Sequence, residues 1–208
     1  MRLLKGLIIV TGSPGTGKTF LVKALSEHWR CSTLRQETVL ADYLKPDPAR
    51  DTMIVDEDRI DIGKIESLIR GFLARNGRGC GLLETLYPGF WIRNFHRFVS
   101  LVILLRAHPI TVCARLSSRP WAKGKVLENC IAEALDTVAE ELLDYSELVV
   151  ELDTTRLSVE ELVGQAVQKV SQGDYGVKIS WLDIDEGLAD VVSYWSILLD
   201  LYDYGFRE

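Results

Sequence analysis

Short apolar runs at 7–11, about 80–83, 101–105 and 148–152 stand out against a mixed background. Their length and continuity predict strands buried on both faces. Segments of helical period lie between them. Leu21, Val22, Leu25 and Trp29 recur at that spacing after the first run. Ile60, Ile65, Leu68, Ile69 and Phe72 do so before the second, and Ile131, Leu135, Val138 and Leu142 before the last. Strands alternating with helices predict an α/β fold: a parallel sheet covered by helices on both faces. Two stretches depart from the pattern. Residues 31–58 are polar, carry Pro46 and Pro48, and read as an insertion. Residues 174–208 hold 7 of the 18 aromatics, 8 acids and only two bases, and read as an extension of distinct composition.

At 208 residues and 47% hydrophobic, the chain is long enough for one substantial core. A net charge of −6 gives no global attraction to nucleic acid or anionic membrane. No apolar run approaches the roughly 20 residues needed to span a bilayer. The N-terminal "MRLLKGLIIVTGS" has an apolar stretch too short for a secretory signal, so a cytoplasmic protein without membrane partners is expected. Cys31, Cys80, Cys113 and Cys130 form no CxxC pair and no zinc spacing. They read as ordinary unpaired residues of a reducing compartment.

The first run feeds into "GSPGTGKTF", where Gly12, Gly17, Lys18 and Thr19 fill the pattern G-x-x-x-x-G-K-[ST]. Glycines let backbone N–H groups turn inward onto phosphate oxygens, and the following helix points its positive end at them. Lys18 reaches the terminal phosphates, and the Thr19 hydroxyl suits magnesium. With a strand before and a helix after, this is the phosphate loop of a P-loop NTPase. Magnesium usually also needs an acid at the end of a neighbouring strand. Glu84, after "CGLL", is one candidate, and the cluster Asp56, Glu57 and Asp58 is its rival.

Charge is segregated further along. Residues 106–127 carry Arg106, Arg115, Arg119, Lys123 and Lys125 and no acid, whereas 128–153 carry nine acids and no base. Arg115 and Arg119, four apart, fall on one helical face before Pro120. Two readings stay open: a basic lid over the triphosphate, or a basic face paired with the acidic stretch. His28, His96 and His108 are scattered, and no hydrolytic triad presents itself.

In order and spacing, "VTGSPGTGKT", "IVDEDRI", "LVILLR" and "SSRPWAKGKVLENCIAEALD" resemble the small adenylate kinase family known as isoenzyme six, over roughly residues 6–172. The resemblance implies a nucleoside monophosphate kinase fold with a monophosphate-binding insertion at about 35–58 and a lid at about 118–128. It implies ATP as substrate, Mg2+ as cofactor and AMP or another nucleoside monophosphate as acceptor. It also implies ATPase activity in small ribosomal subunit maturation, with a basic ribosomal protein and pre-ribosomal RNA as partners. Carried over position by position, Gly15, Gly17, Lys18, Thr19 and Phe20 fall on the ATP-phosphate site and Arg119 on the lid arginine. On the reading of the residues themselves, Thr19 and Glu84 are expected to hold the metal, and Lys18 and Arg119 to be the catalytic cations. Three positions depart from the family pattern. Phe20 stands where a hydroxyl residue is usual, Leu86 replaces a motif histidine, and Leu40 replaces an acceptor-site arginine, for which Arg35 or Arg50 could substitute. Adenylate kinase, ribosome-assembly ATPase and a kinase of another small acceptor are therefore the competing functions. Leu188, Val192, Trp195, Leu199 and Tyr202 lie close to one helical face of the extension, set to pack on the core or to dock a partner.

Overall fold

The computed structural model describes residues 5–47, 52–75 and 79–203. Pro48 and Arg50 lie outside the described residues. The strands are β1 (Gly6–Thr11), β2 (Ser32–Arg35), β3 (Leu44–Asp47), β4 (Thr52–Val55), β5 (Cys80–Glu84), β6 (Val99–Arg106) and β7 (Val149–Asp153). Between them run α1 (Lys18–Trp29), α2 (Gln36–Val39), α3 (Ile62–Arg75), α4 (Pro88–Phe95), α5 (Pro109–Ser117), α6 (Lys123–Ala134) and α7 (Thr137–Glu140). After β7 come α8 (Val159–Gln172), α9 (Trp181–Ile184) and α10 (Leu188–Asp203).

Five parallel strands form the main sheet in the order β2-β5-β1-β6-β7. The four apolar runs are its four inner and far-edge strands, as their continuity predicts. Alternation along each strand divides them between two cores. Leu7, Ile9, Leu83, Val102 and Leu104 face one core with Ile65, Ile69, Trp91 and Phe95 from α3 and α4. Ile8, Val10, Leu82, Ile103 and Leu105 face the other with Leu21 and Leu25 of α1 and Leu162 and Ala166 of α8. Ser158 caps α8 in a reciprocal pair with Glu161, each satisfying the other's backbone N–H.

Several expectations are corrected. The polar stretch from 31 is not wholly an insertion: Ser32–Arg35 is the edge strand β2, in register with β5 from Ser32 beside Gly81 to Arg35 beside Glu84. Four residues with one wet edge give too little pattern to read. After it, β3 and β4 pair as a separate antiparallel hairpin. The helical period across 131–142 does not make one helix. α6 ends at Ala134, and Asp136 takes a left-handed φ of 56°. Asp tolerates that conformation, and its carboxylate is drawn inward to Arg106. α5 stops at Ser117, so Arg119 lies beyond it and does not share a helical face with Arg115.

The cysteines are also paired, contrary to the reading of unpaired thiols. Cys31 joins Cys80 and Cys113 joins Cys130, with Cα atoms 5.0 and 5.5 Å apart. Neighbouring strands bring the first pair together, and the α5–α6 hairpin brings the second. Separations of 49 and 17 residues carry no local signature.

The extension packs on α6. Leu188, Val192 and Trp181 bury themselves with Ala134, and Leu199 and Tyr202 lie beside Gly124, close enough that a Cβ there would sit 3.7 Å from each. Among the described residues no helix is long and apolar enough to cross a membrane.

Both crosslinks restrict the unfolded chain, by about 3 kcal/mol for the shorter loop and about 4 kcal/mol for the longer in the chain-entropy picture. Alkylation in denaturant without reductant should label no cysteine, and reduction should lower Tm by several degrees. Four labelled thiols before reduction would contradict the pairing.

Candidate active site

β1 delivers the loop at 12–17 to the carboxyl edge of the sheet. Gly12 has φ 138°, and a Cβ there would lie 2.2 Å from the Leu105 carbonyl oxygen. No side chain fits between the loop and β6. The turn is closed by Thr16, whose N–H and hydroxyl both donate to the Ser13 carbonyl, at 3.3 and 2.8 Å. Lys18 opens α1 and folds back across the loop. Its Nζ donates to the Gly12 and Ser13 carbonyls at 2.7 and 3.0 Å. Burial lowers its pKa to about 8, against the upward pull of Glu84 and Glu133.

The parallel register sets Glu84 beside Val10, at the foot of the loop. There Thr19 Oγ1 donates to Glu84 Oε1 at 2.5 Å. A hydroxyl and a carboxylate, both oxygen donors, form a set that fits Mg2+ when nucleotide phosphates complete its shell. In the rival cluster, Asp56 is engaged elsewhere. Asp56 pairs with Lys45 at 3.1 Å and its N–H bonds the Tyr43 carbonyl.

A cavity of about 640 Å3 opens over the loop. Its wall includes Gly15, Gly17, Lys18, Thr19, Phe20, Glu84 and Arg119, so the residues singled out from the sequence come together around one space. Arg119 stands over the Trp121 ring at 5.1 Å, and Lys125 approaches the same ring at 4.8 Å. Arg115 has a different task from the one its sequence suggests. It donates to the carbonyls of Gly15 (3.1 Å) and Thr154 (2.7 Å), and Thr154 Oγ1 donates to the Thr16 carbonyl at 2.9 Å. The guanidinium therefore braces the loop against the turn after β7.

The wall also includes Phe20, Glu37, Thr85 and Leu86. Phe20 is 71% exposed there. Leu40 is a core residue, 1% exposed, so that position does not face the cavity. Beneath this wall Gln36 accepts from both the Thr85 hydroxyl and, at 3.2 Å, the Trp91 indole. No motif marks that anchor. Nor does one mark Ser13, whose hydroxyl donates to the buried Glu133 at 2.5 Å across 120 residues.

With this geometry in view, the comparisons with known proteins decide the family. A profile described as an AAA domain matches residues 8–136. A protein of Saccharolobus islandicus named "Putative adenylate kinase" is 32% identical over 180 residues, covering 85% of this chain and 87% of its own. One of the same name from Thermococcus onnurineus is 33% identical over 189 residues, covering 90% and 96%. The chain belongs to this adenylate-kinase-like family of P-loop phosphotransferases. The solved structure of a sugar kinase from a Janibacter species shares the fold, with TM-score 0.54 at 19% identity over 81% of this chain and 95% of that one.

A phosphate site that relies on Lys18 carries a pH signature. The side chain is cationic below about pH 8 and neutral above it. Phosphates bind the cation, so binding above that pH must take up a proton. Affinity for ATP should fall by up to about tenfold per pH unit above 8. Calorimetry in buffers of different ionisation heat checks this, and an affinity constant from pH 7 to 10 would contradict it.

Proposed function

We propose that the protein is a nucleoside monophosphate kinase of adenylate kinase type, converting ATP and AMP into two ADP. The observation that carries this reading is the convergence of Lys18, the Thr19–Glu84 pair and Arg119 on one cavity. In the transfer, an oxygen of the AMP phosphate attacks the γ-phosphorus. The bond from that phosphorus to the β–γ bridging oxygen breaks, and ADP leaves with the electron pair.

Each residue then has a task. The loop N–H groups from Gly15 to Phe20 and the Lys18 ammonium hold the β- and γ-phosphates. Thr19 and Glu84 would hold the magnesium, which would neutralise charge on those phosphates. Arg119 leaves Trp121 to stabilise charge on the transferring group. Residues about 118–128 act as the lid, about 35–58 as the monophosphate-binding insertion, and 174–208 as an extension of the kinase domain at 1–173. A cytoplasmic setting goes with these substrates, and disulfides do occur inside the cells of hyperthermophilic archaea and bacteria.

A specific observation favours a second reading, an ATPase with water as acceptor. Among the described residues lining the cavity, the cations are Lys18, Arg115 and Arg119; Lys18 and Arg115 bond carbonyls of the phosphate loop, Arg119 is assigned to the transferring group, and the lining otherwise includes Glu37, Phe20 and Leu86. An acceptor phosphate wants a cation of its own. Arg50 lies outside the described residues, and Arg35 is exposed at the end of β2. Roles in small-subunit maturation, with a basic ribosomal protein and pre-ribosomal RNA as partners, rest on the family resemblance and the acidic extension.

ADP formation from ATP and Mg2+, with and without AMP, separates the readings. The kinase reading expects a large rise on adding AMP, with two ADP per ATP consumed; a slow rate indifferent to AMP overturns it. Lys18→Ala should cost at least ~100-fold in either activity. Glu84→Gln should raise the Mg2+ concentration required without changing the fold, which circular dichroism checks.

A further inference from the structure

The C-terminal extension reaches the phosphate loop through a buried chain of polar groups. Glu133 of α6 is 2% exposed, and every one of its contacts is a donor. Oε2 accepts from Ser13 Oγ at 2.5 Å. Oε1 accepts from Arg106 Nε at 2.9 Å, the Ala107 N–H at 3.1 Å and the Trp181 indole N–H at 3.0 Å. Arg106, at the carboxyl end of β6, also meets Asp136 and Glu151. One guanidinium thus faces three carboxylates. Burial alone would lower its pKa, and the surrounding carboxylates hold it above the usual value.

A surplus of buried carboxylates must be met by other donors. The extension supplies them. Glu151 Oε2 accepts from the N–H groups of Lys178 and Ile179, at 2.6 and 2.9 Å. The Ile179 carbonyl takes a bond from Arg106 at 2.9 Å. The Trp181 ring covers the guanidinium, 5.8 Å from its carbon, and is itself 4% exposed. Without the indole N–H, Glu133 Oε1 is left to Arg106 and Ala107, both on the side of β6. The balance of donors on its carboxylate then shifts toward β6, with Ser13 alone holding Oε2 toward the loop.

We propose that Trp181 is a positioning residue for the phosphate loop. Its indole N–H fixes the Glu133 carboxylate, which in turn holds Ser13, so the C-terminal extension sets the affinity for MgATP. Trp181 stays out of the nucleotide cavity and acts through two intervening side chains. The proposal concerns the donor triphosphate only; it holds whether the acceptor is AMP or water.

A double-mutant cycle tests it, read by calorimetric binding of a non-hydrolysable ATP analogue with Mg2+ and no acceptor present. Trp181→Phe keeps the ring and removes the N–H. It should weaken binding about five-fold, the low end of coupling between linked sites. In a Ser13→Ala background the same change should cost less than about two-fold, because the link is already cut. A purely structural role would cost the same in both backgrounds. Equal effects, or unaltered binding in Trp181→Phe alone, would overturn the proposal. Should Trp181→Phe fail to fold, the unaltered protein still answers. By reciprocity the nucleotide should slow exchange of the Trp181 indole proton, assigned through bonds by NMR. An unchanged exchange rate would overturn the proposal equally. Loss of AMP-dependent activity with the cycle intact would refute the kinase reading and leave this one standing.

Discussion

Parallel strand pairing is the constraint on which the site depends. Because β5, β1, β6 and β7 run the same way, their carboxyl ends finish along one edge. That edge collects Glu84, the loop from Gly12, Arg106 and Asp153, residues far apart in the chain. A shift of β5 against β1 would carry Glu84 away from Val10 and so from Thr19. The close approach of Gly12 to Leu105 fixes the loop against β6 in the same way. Buried apolar side chains on both faces hold the register, so the chemistry is positioned by packing far from it.

The charge segregation in the sequence resolves into three different uses of arginine. Arg106 is buried and neutralises the acids of the following segment. Arg115 bonds backbone carbonyls and braces the loop. Arg119 lines the cavity over Trp121. Pairing with the acidic stretch and service at the triphosphate are thus both present, but in different residues. A sequence window cannot divide them, since the division follows from burial and from which strand end each arginine leaves.

Much of the fold was legible, because continuous apolar runs and helical period report burial directly. The phosphate loop was legible because its glycines answer a local steric demand. Glu84 could be named as a candidate from its place after a buried strand, yet choosing it over Asp56 needed the register. The rest depends on contacts between distant segments. Edge strand β2 is short and half wet. The cysteine pairs join neighbours in space across 49 and 17 residues. Leu40 looked like a lost arginine but is a core position. The bond from Ser13 to Glu133 has no signature at either residue, and the break at Asp136 follows from the pull of Arg106.

The proposed reaction needs one cavity to hold a donor triphosphate and an acceptor nucleotide together. Diadenosine pentaphosphate, which carries both nucleosides on a single phosphate chain, tests that most directly. Titrated calorimetrically with Mg2+, it should bind one molecule per chain, at least tenfold more tightly than ATP. Binding no tighter than that of ATP would contradict a two-nucleotide site and leave a cavity that serves the triphosphate alone.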